Sequence, residues 1–97
     1  MPLFAIHCLD RPGASVLRAE TRPAHLEYLA RLTERIFCGG PLLDLEGAPM
    51  GSLLIVRCVD RRDAYAFAAD DPYSLAGLFQ SVAITAWRQV HPVDGNP

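Results

Sequence analysis

The sequence predicts an α+β fold, with two helices on one face of a four-stranded antiparallel sheet, in the order strand, helix, strand, strand, helix, strand. Three observations point there. Apolar residues alternate with period two over Leu3–Leu9, Gly51–Val59 and about Gln80–Val90, which is strand spacing. They recur every three or four residues over Arg22–Phe37 and about Arg61–Ala69, which is helix spacing. Gly, Pro and Asp clusters punctuate these runs. A chain of 97 residues supports one domain, residues 1–97, with a loose tail expected over 92–97.

The first strand sends Phe4, Ile6 and Cys8 to one side and Leu3, Ala5, His7 and Leu9 to the other. Asp10-Arg11-Pro12-Gly13 ends it, and residues 14–20 read as a loop or a frayed turn. Thr21 is the expected N-cap of the first helix, with Pro23 in the first turn. His25, Leu29, Leu32 and Ile36 form its inner stripe, widened by Leu26 and Ala30. Gly39-Gly40-Pro41 cannot continue a helix, so a short strand is expected over Leu42–Leu45. The third strand sets Ser52, Leu54, Val56 and Cys58 against Leu53, Ile55, Arg57 and Val59. Asp60 is the expected N-cap of the second helix, whose stripe is Ala64, Phe67 and Ala68. Pro72 ends that region and opens a short helical turn to Gly77.

This order is the ferredoxin-like split βαβ arrangement. Helices cover only one sheet face. The other face still carries apolar side chains, and the economical cover for so short a chain is a second copy, packed sheet to sheet as a homodimer.

Composition narrows the function classes. Hydrophobic residues are 51% and charged residues 21% of the chain, a globular mix. The formal charge is −2, so no nucleic-acid partner is expected, because phosphate contacts need clustered cations. All nine cations are Arg, which removes lysine Schiff-base chemistry and the P-loop. No apolar run is long enough for a membrane span, and no signal segment is seen at the start. Cys8, Cys38 and Cys58, spaced by 30 and 20 residues, match no zinc pattern. They read as free thiols in a reducing compartment, which points to the cytoplasm. No metal set or cofactor loop emerges, so no metal and no cofactor is expected.

His25 and Asp71 are the candidate catalytic pair. His25 lies on the inner stripe, and a position near the helix start would favour a neutral imidazole able to act as a base. A core histidine bonded to a carbonyl fits the same pattern. Asp71 precedes Pro72 and fits an N-cap; it also fits a carboxylate that orients an imidazole, and both roles are compatible only if one oxygen stays free. Ser52, Arg57, Arg22 and Tyr73 are candidate substrate-binding residues: Ser52 as a donor, the arginines as carboxylate clamps, Tyr73 as a packing ring with a polar tip. An ordinary ion pair is the plainer use of either arginine, and self-satisfaction at a strand end the plainer use of Ser52.

Taken together, Arg22-Pro23-Ala24-His25-Leu26-Glu27-Tyr28-Leu29, Gly40-Pro41-Leu42, Gly51-Ser52 and Ala69-Asp70-Asp71-Pro72-Tyr73, with Gly77-Leu78-Phe79 following, resemble the YciI-like, or YCII-related domain, family from Leu3 to about Val90. The resemblance implies a ferredoxin-like fold pairing into a dimeric α/β barrel. It also implies an active site around a histidine and an aspartate, which fall on His25 and Asp71, with Ser52 lining the pocket. Enzymes of the wider superfamily isomerise, dehydrohalogenate or oxidise small cyclic compounds. The expected function is therefore proton transfer by the His/Asp pair on a small polar or aromatic-derived substrate, of lyase or isomerase type. The alternative is a non-catalytic module of the same fold that binds a small metabolite or a protein partner.

Overall fold

The computed structural model describes residues 1–93, so the expected tail lies, from residue 94 on, outside the described residues. The expected α+β order is present. β1 (Leu3–Asp10), β2 (Ile36–Leu43), β3 (Pro49–Arg57) and β4 (Phe79–Trp87) form one antiparallel sheet in the order β2-β3-β1-β4. The helices are α1 (Ser15–Arg31), α2 (Arg61–Ala69) and the single turn α3 (Pro72–Leu75).

The alternation of β1 and β3 builds the core. Phe4 pairs with Val56, Ile6 with Leu54 and Cys8 with Ser52, and β4 adds Val82 and Ile84 beside Cys8 and Ile6. These side chains share the helix-covered face, where Ala64, Phe67 and Ala68 of α2 close over them. Gly51 lets β1 and β3 come together next to Ser52, since a Cβ there would collide with the Cys8 carbonyl oxygen. The opposite, outer face carries Leu53, and Phe37 and Trp87 meet there with ring centroids 5.9 Å apart.

α1 differs from the expectation at both ends. It begins at Ser15, so residues 15–20 are helix rather than loop. Pro23 lies in its interior, where a proline removes one backbone donor. Thr21 is not a cap: its Oγ1 donates to Leu17 O at 2.8 Å inside the helix. The helix stops at Arg31, a 3-10 turn follows over Thr33–Arg35, and Ile36 and Phe37 belong to β2. Cross-strand pairing explains that early end: β3 offers Val56 to Ile36 and Ile55 to Cys38. β2 therefore runs over 36–43, not 42–45, and Pro41 is tolerated because β2 is an edge strand.

Two contacts fix α1 over the sheet. Tyr28 Oη donates to Phe67 O at 2.7 Å, and Leu29 and Leu32 pack on the core. Beyond them Arg35 ties the 3-10 turn to α2, donating from Nη2 to Asp63 Oδ2 at 2.8 Å. Asp60 caps α2 as expected, its Oδ1 accepting from Asp63 N at 2.8 Å.

Candidate functional site

α1 stands across from β2 and β3, and the space between them is a cavity of about 690 Å3. Arg18, Arg22, His25 and Leu29 wall it from the helix, at steps of three and four residues, so they share one face. Gly39, Ser52 and Leu54 line it from the sheet, and Tyr73 closes one end.

His25 and Asp71 meet at this wall. His25 Nδ1 lies 2.8 Å from Asp71 Oδ1 and 3.0 Å from Oδ2, with both side chains buried. A carboxylate accepts, so the ring donates from Nδ1, and a neutral imidazole then carries its lone pair on Nε2. Nε2 makes no hydrogen bond among the described residues. Every fully buried side-chain nitrogen or oxygen there has a partner, so Nε2 is open to solvent in the cavity.

Asp71 keeps both roles that the sequence allowed. It is the N-cap of α3, with Oδ1 accepting from Tyr73 N at 2.9 Å, while both oxygens face the imidazole. α3 is pinned at its other end as well. Gly77, at φ +75°, permits bonds from Gly77 N to Ser74 O at 3.0 Å and from Leu78 N to Tyr73 O at 3.0 Å, a Schellman closure. One turn of helix thus holds Asp71 and Tyr73 rigidly. The Tyr73 ring stacks on the His25 ring, with centroids 4.0 Å apart and planes 19° from parallel.

The helix-dipole expectation for His25 does not survive. It lies ten positions beyond Ser15, about 15 Å along the axis, and the dipole field fades within the first turn. Asp71, not the helix start, is the group that faces the ring.

Arg18 is the residue the sequence reading missed. It is buried, and its Nε donates to Asp10 Oδ2 at 2.6 Å. Its Nη2 donates to Ser52 Oγ at 2.7 Å and to Asp10 Oδ1 at 3.3 Å. Its Nη1 donates to Tyr73 Oη at 3.4 Å, with the guanidinium carbon 4.6 Å from the Tyr73 ring centre. A signal was present: no Gly or Pro stands between Gly13 and Pro23, and Arg18 precedes His25 by seven residues, two helical turns.

Of the other expected binding residues, Ser52, Tyr73 and Arg22 line the cavity, Arg22 from an exposed position. Arg57 does not. It points from the outer face, where Nη1 donates to Glu34 O at 3.4 Å and the guanidinium carbon sits 5.8 Å from the Phe37 ring centre. Strand alternation requires this, because positions 52 and 57 differ by an odd number and face opposite ways. Cys8 lies behind Ser52, and burial, with Asp71 and Asp10 nearby, pushes its thiol up to about 12, which rules it out as a ready nucleophile.

The YCII-related domain model matches residues 2–88. This chain is a member of the YCII-related family. The match spans the whole of the site, from Asp10 to Tyr73. The resemblance read from the histidine and Asp-Pro-Tyr stretches therefore holds. The curated relatives named Protein YciI, from Escherichia coli and Shigella flexneri, are each 30% identical to this YCII-related chain, over 91% of it and 98% of their own length. Among solved structures, the 5-chloro-2-hydroxyhydroquinone dehydrochlorinase TftG from Burkholderia phenoliruptrix superposes with a TM-score of 0.87. It is 33% identical, the match covers 95% of this chain and 99% of TftG, and that structure holds 2,5-dihydroxybenzoquinone. An antibiotic biosynthesis monooxygenase, at 13% identity and a TM-score of 0.56, with 93% and 99% covered, shares the fold alone. Among the described residues of the YCII-related domain, no helix is long and apolar enough to cross a membrane.

Proposed function

We propose that this YCII-related protein is an acid–base enzyme acting on a small, polar, aromatic-derived ring compound, by elimination or isomerisation. His25 is the base. Its Nε2 takes a proton from a ring hydroxyl or from carbon beside a carbonyl, and the electron pair passes toward a ring oxygen. The charge then expels a leaving anion, or the imidazolium returns the proton to another carbon. Asp71 holds the ring through Nδ1 and stabilises the imidazolium, as does the Tyr73 face stacked on it. Ser52, Tyr73 and Arg22 anchor the substrate.

The observation that carries this reading is the His25–Asp71 contact at 2.8 Å, with the free ring nitrogen open to the cavity. The likeness to a dehydrochlorinase supports a leaving group such as chloride. The test is turnover of halogenated hydroxyquinol, lactone and quinol ring substrates, followed by ultraviolet absorbance and chloride release. Conversion of a halogenated hydroxyquinol is the expected result. A ligand that binds tightly and is never converted would instead make this a metabolite-binding module.

The same proposal includes a homodimer, formed by two outer sheet faces into a closed barrel. It is supported by Phe37, Leu53 and Trp87, all exposed on the helix-free face. Sedimentation at micromolar concentration is expected to give twice the chain mass, and a monomer would remove the dimer from the proposal.

A further inference from the structure

We propose that the cavity has a second, apolar compartment on the far side of His25, which takes an apolar arm carried by the ring substrate. The substrate class is then a ring compound with polar groups at one end and a hydrocarbon substituent of several carbons at the other. This rests on the cavity being the substrate site, as proposed above.

Size is the first reason. A cavity of about 150 Å3 is enough to hold benzene, and about 690 Å3 is several times that, so one ring leaves most of the space unfilled. The second reason is that the lining changes along α1. Arg18, Arg22 and His25 come first, and past them come Leu26, Leu29 and Ala30. The sheet changes in step. β3 passes from Ser52 to Leu54, and β2 from Pro41, opposite Ser52, to Gly39, opposite Leu54, and on to Ile36. Beyond His25 on α1, no ionisable side chain lines the cavity among the described residues. Thr33 brings a hydroxyl to that end, but it is turned back on the helix and donates to Ala30 O at 3.1 Å.

Apolar surface is left uncovered at this end. Leu26 and Ala30 are both exposed, and both line the cavity. Gly39 keeps the sheet side open. A Cβ there would collide with Leu54 Cδ2, so the Leu54 side chain itself forms the floor, and a Cβ at Gly40 would meet nothing within 4 Å. His25 stands between the two ends, with Nε2 open to the cavity. The ring oxygens belong with the donors of the polar end, so the arm leaves the ring from the opposite side. Burying the arm against Leu26 and Leu29 then fixes which ring carbon lies at His25, with no further hydrogen bond needed.

The test is binding of 4-alkylphenols to the intact protein by isothermal titration calorimetry, which needs no turnover. From phenol through 4-ethylphenol and 4-propylphenol to 4-pentylphenol, affinity is expected to rise about fourfold per added carbon, the gain from taking one methylene out of water. 4-(2-Hydroxyethyl)phenol matches 4-propylphenol in size but ends its arm in a hydroxyl, and is expected to bind on the order of tenfold more weakly than it. Leu26→Asn and Ala30→Gln alter exposed helix positions, with circular dichroism to show that each variant folds. Each is expected to flatten the series, so that 4-pentylphenol loses on the order of tenfold in affinity. No binding by any member, a flat series in the parent, a hydroxyl-ended arm that binds as well as the propyl one, or a series as steep in both variants as in the parent would overturn the compartment. Conversion of an unsubstituted halogenated hydroxyquinol alongside a flat series would remove the compartment and leave the enzymatic reading. A steep series in a protein that converts no ring compound would keep the compartment and remove only that reading.

Discussion

Replacing His25 by asparagine is expected to cut turnover of a ring substrate by about 10²–10⁴-fold, the usual contribution of a positioned general base. Asparagine keeps a polar group beside Asp71 but offers no basic nitrogen to the cavity. Asp71 keeps its cap bond from Tyr73 N in the variant, so α3 and the cavity wall should persist. The loss should therefore fall on kcat, with circular dichroism unchanged. Steady-state kinetics of parent and variant decide the matter, and a variant with parental kcat would eliminate the proton-transfer role of His25.

The second large effect is on stability. Arg18→Met removes the cation from an ion pair whose side chains are only 9% and 8% exposed. Asp10 is then a buried carboxylate without a partner, and Ser52 and Tyr73 lose their donor. Breaking such a pair from one side costs about 3–5 kcal/mol. For a chain of this length that is a fall in Tm of more than about 10 °C. Adding Asp10→Asn to Arg18→Met is expected to recover much of the loss, because the stranded charge is gone. Thermal melts of the two variants measure this. An Arg18→Met protein that melts with the parent would show that water, not the guanidinium, satisfies Asp10.

These two residues lie two turns apart on one helix, yet only His25 was legible. His25 sits in a stripe continued by Leu29 and Leu32, and apolar periodicity reveals a helix face. Arg18 sits where that stripe has turned polar, because the helix faces a cavity there rather than the core. Hydrophobic pattern cannot report a wall that faces open space. Pro23 added to this by looking like a helix start, when it is an interior residue tolerated in the finished fold.

β2 departs from the local pattern for a related reason. Local spacing carried Ile36 and Phe37 on in helical phase, while pairing with β3 drew them into the sheet. Long-range hydrogen bonding outweighed a weak local preference, as it often does at an edge strand. Arg57 is the opposite case. The alternation of β3 already set it against Ser52, and the structure keeps them on opposite faces.

By itself the sequence determined the order of elements, the core faces of β1, β3 and α2, and the caps at Asp60 and Asp71. Each of these follows from periodicity or from turn chemistry a few residues long. Only the tertiary structure decided that α1 stands off the sheet over a cavity, that Asp71 comes within 2.8 Å of His25, and that Arg18 reaches Asp10, Ser52 and Tyr73 at once. Those contacts join residues up to 55 positions apart. Their distances are set by how whole helices and strands pack, which no local pattern encodes.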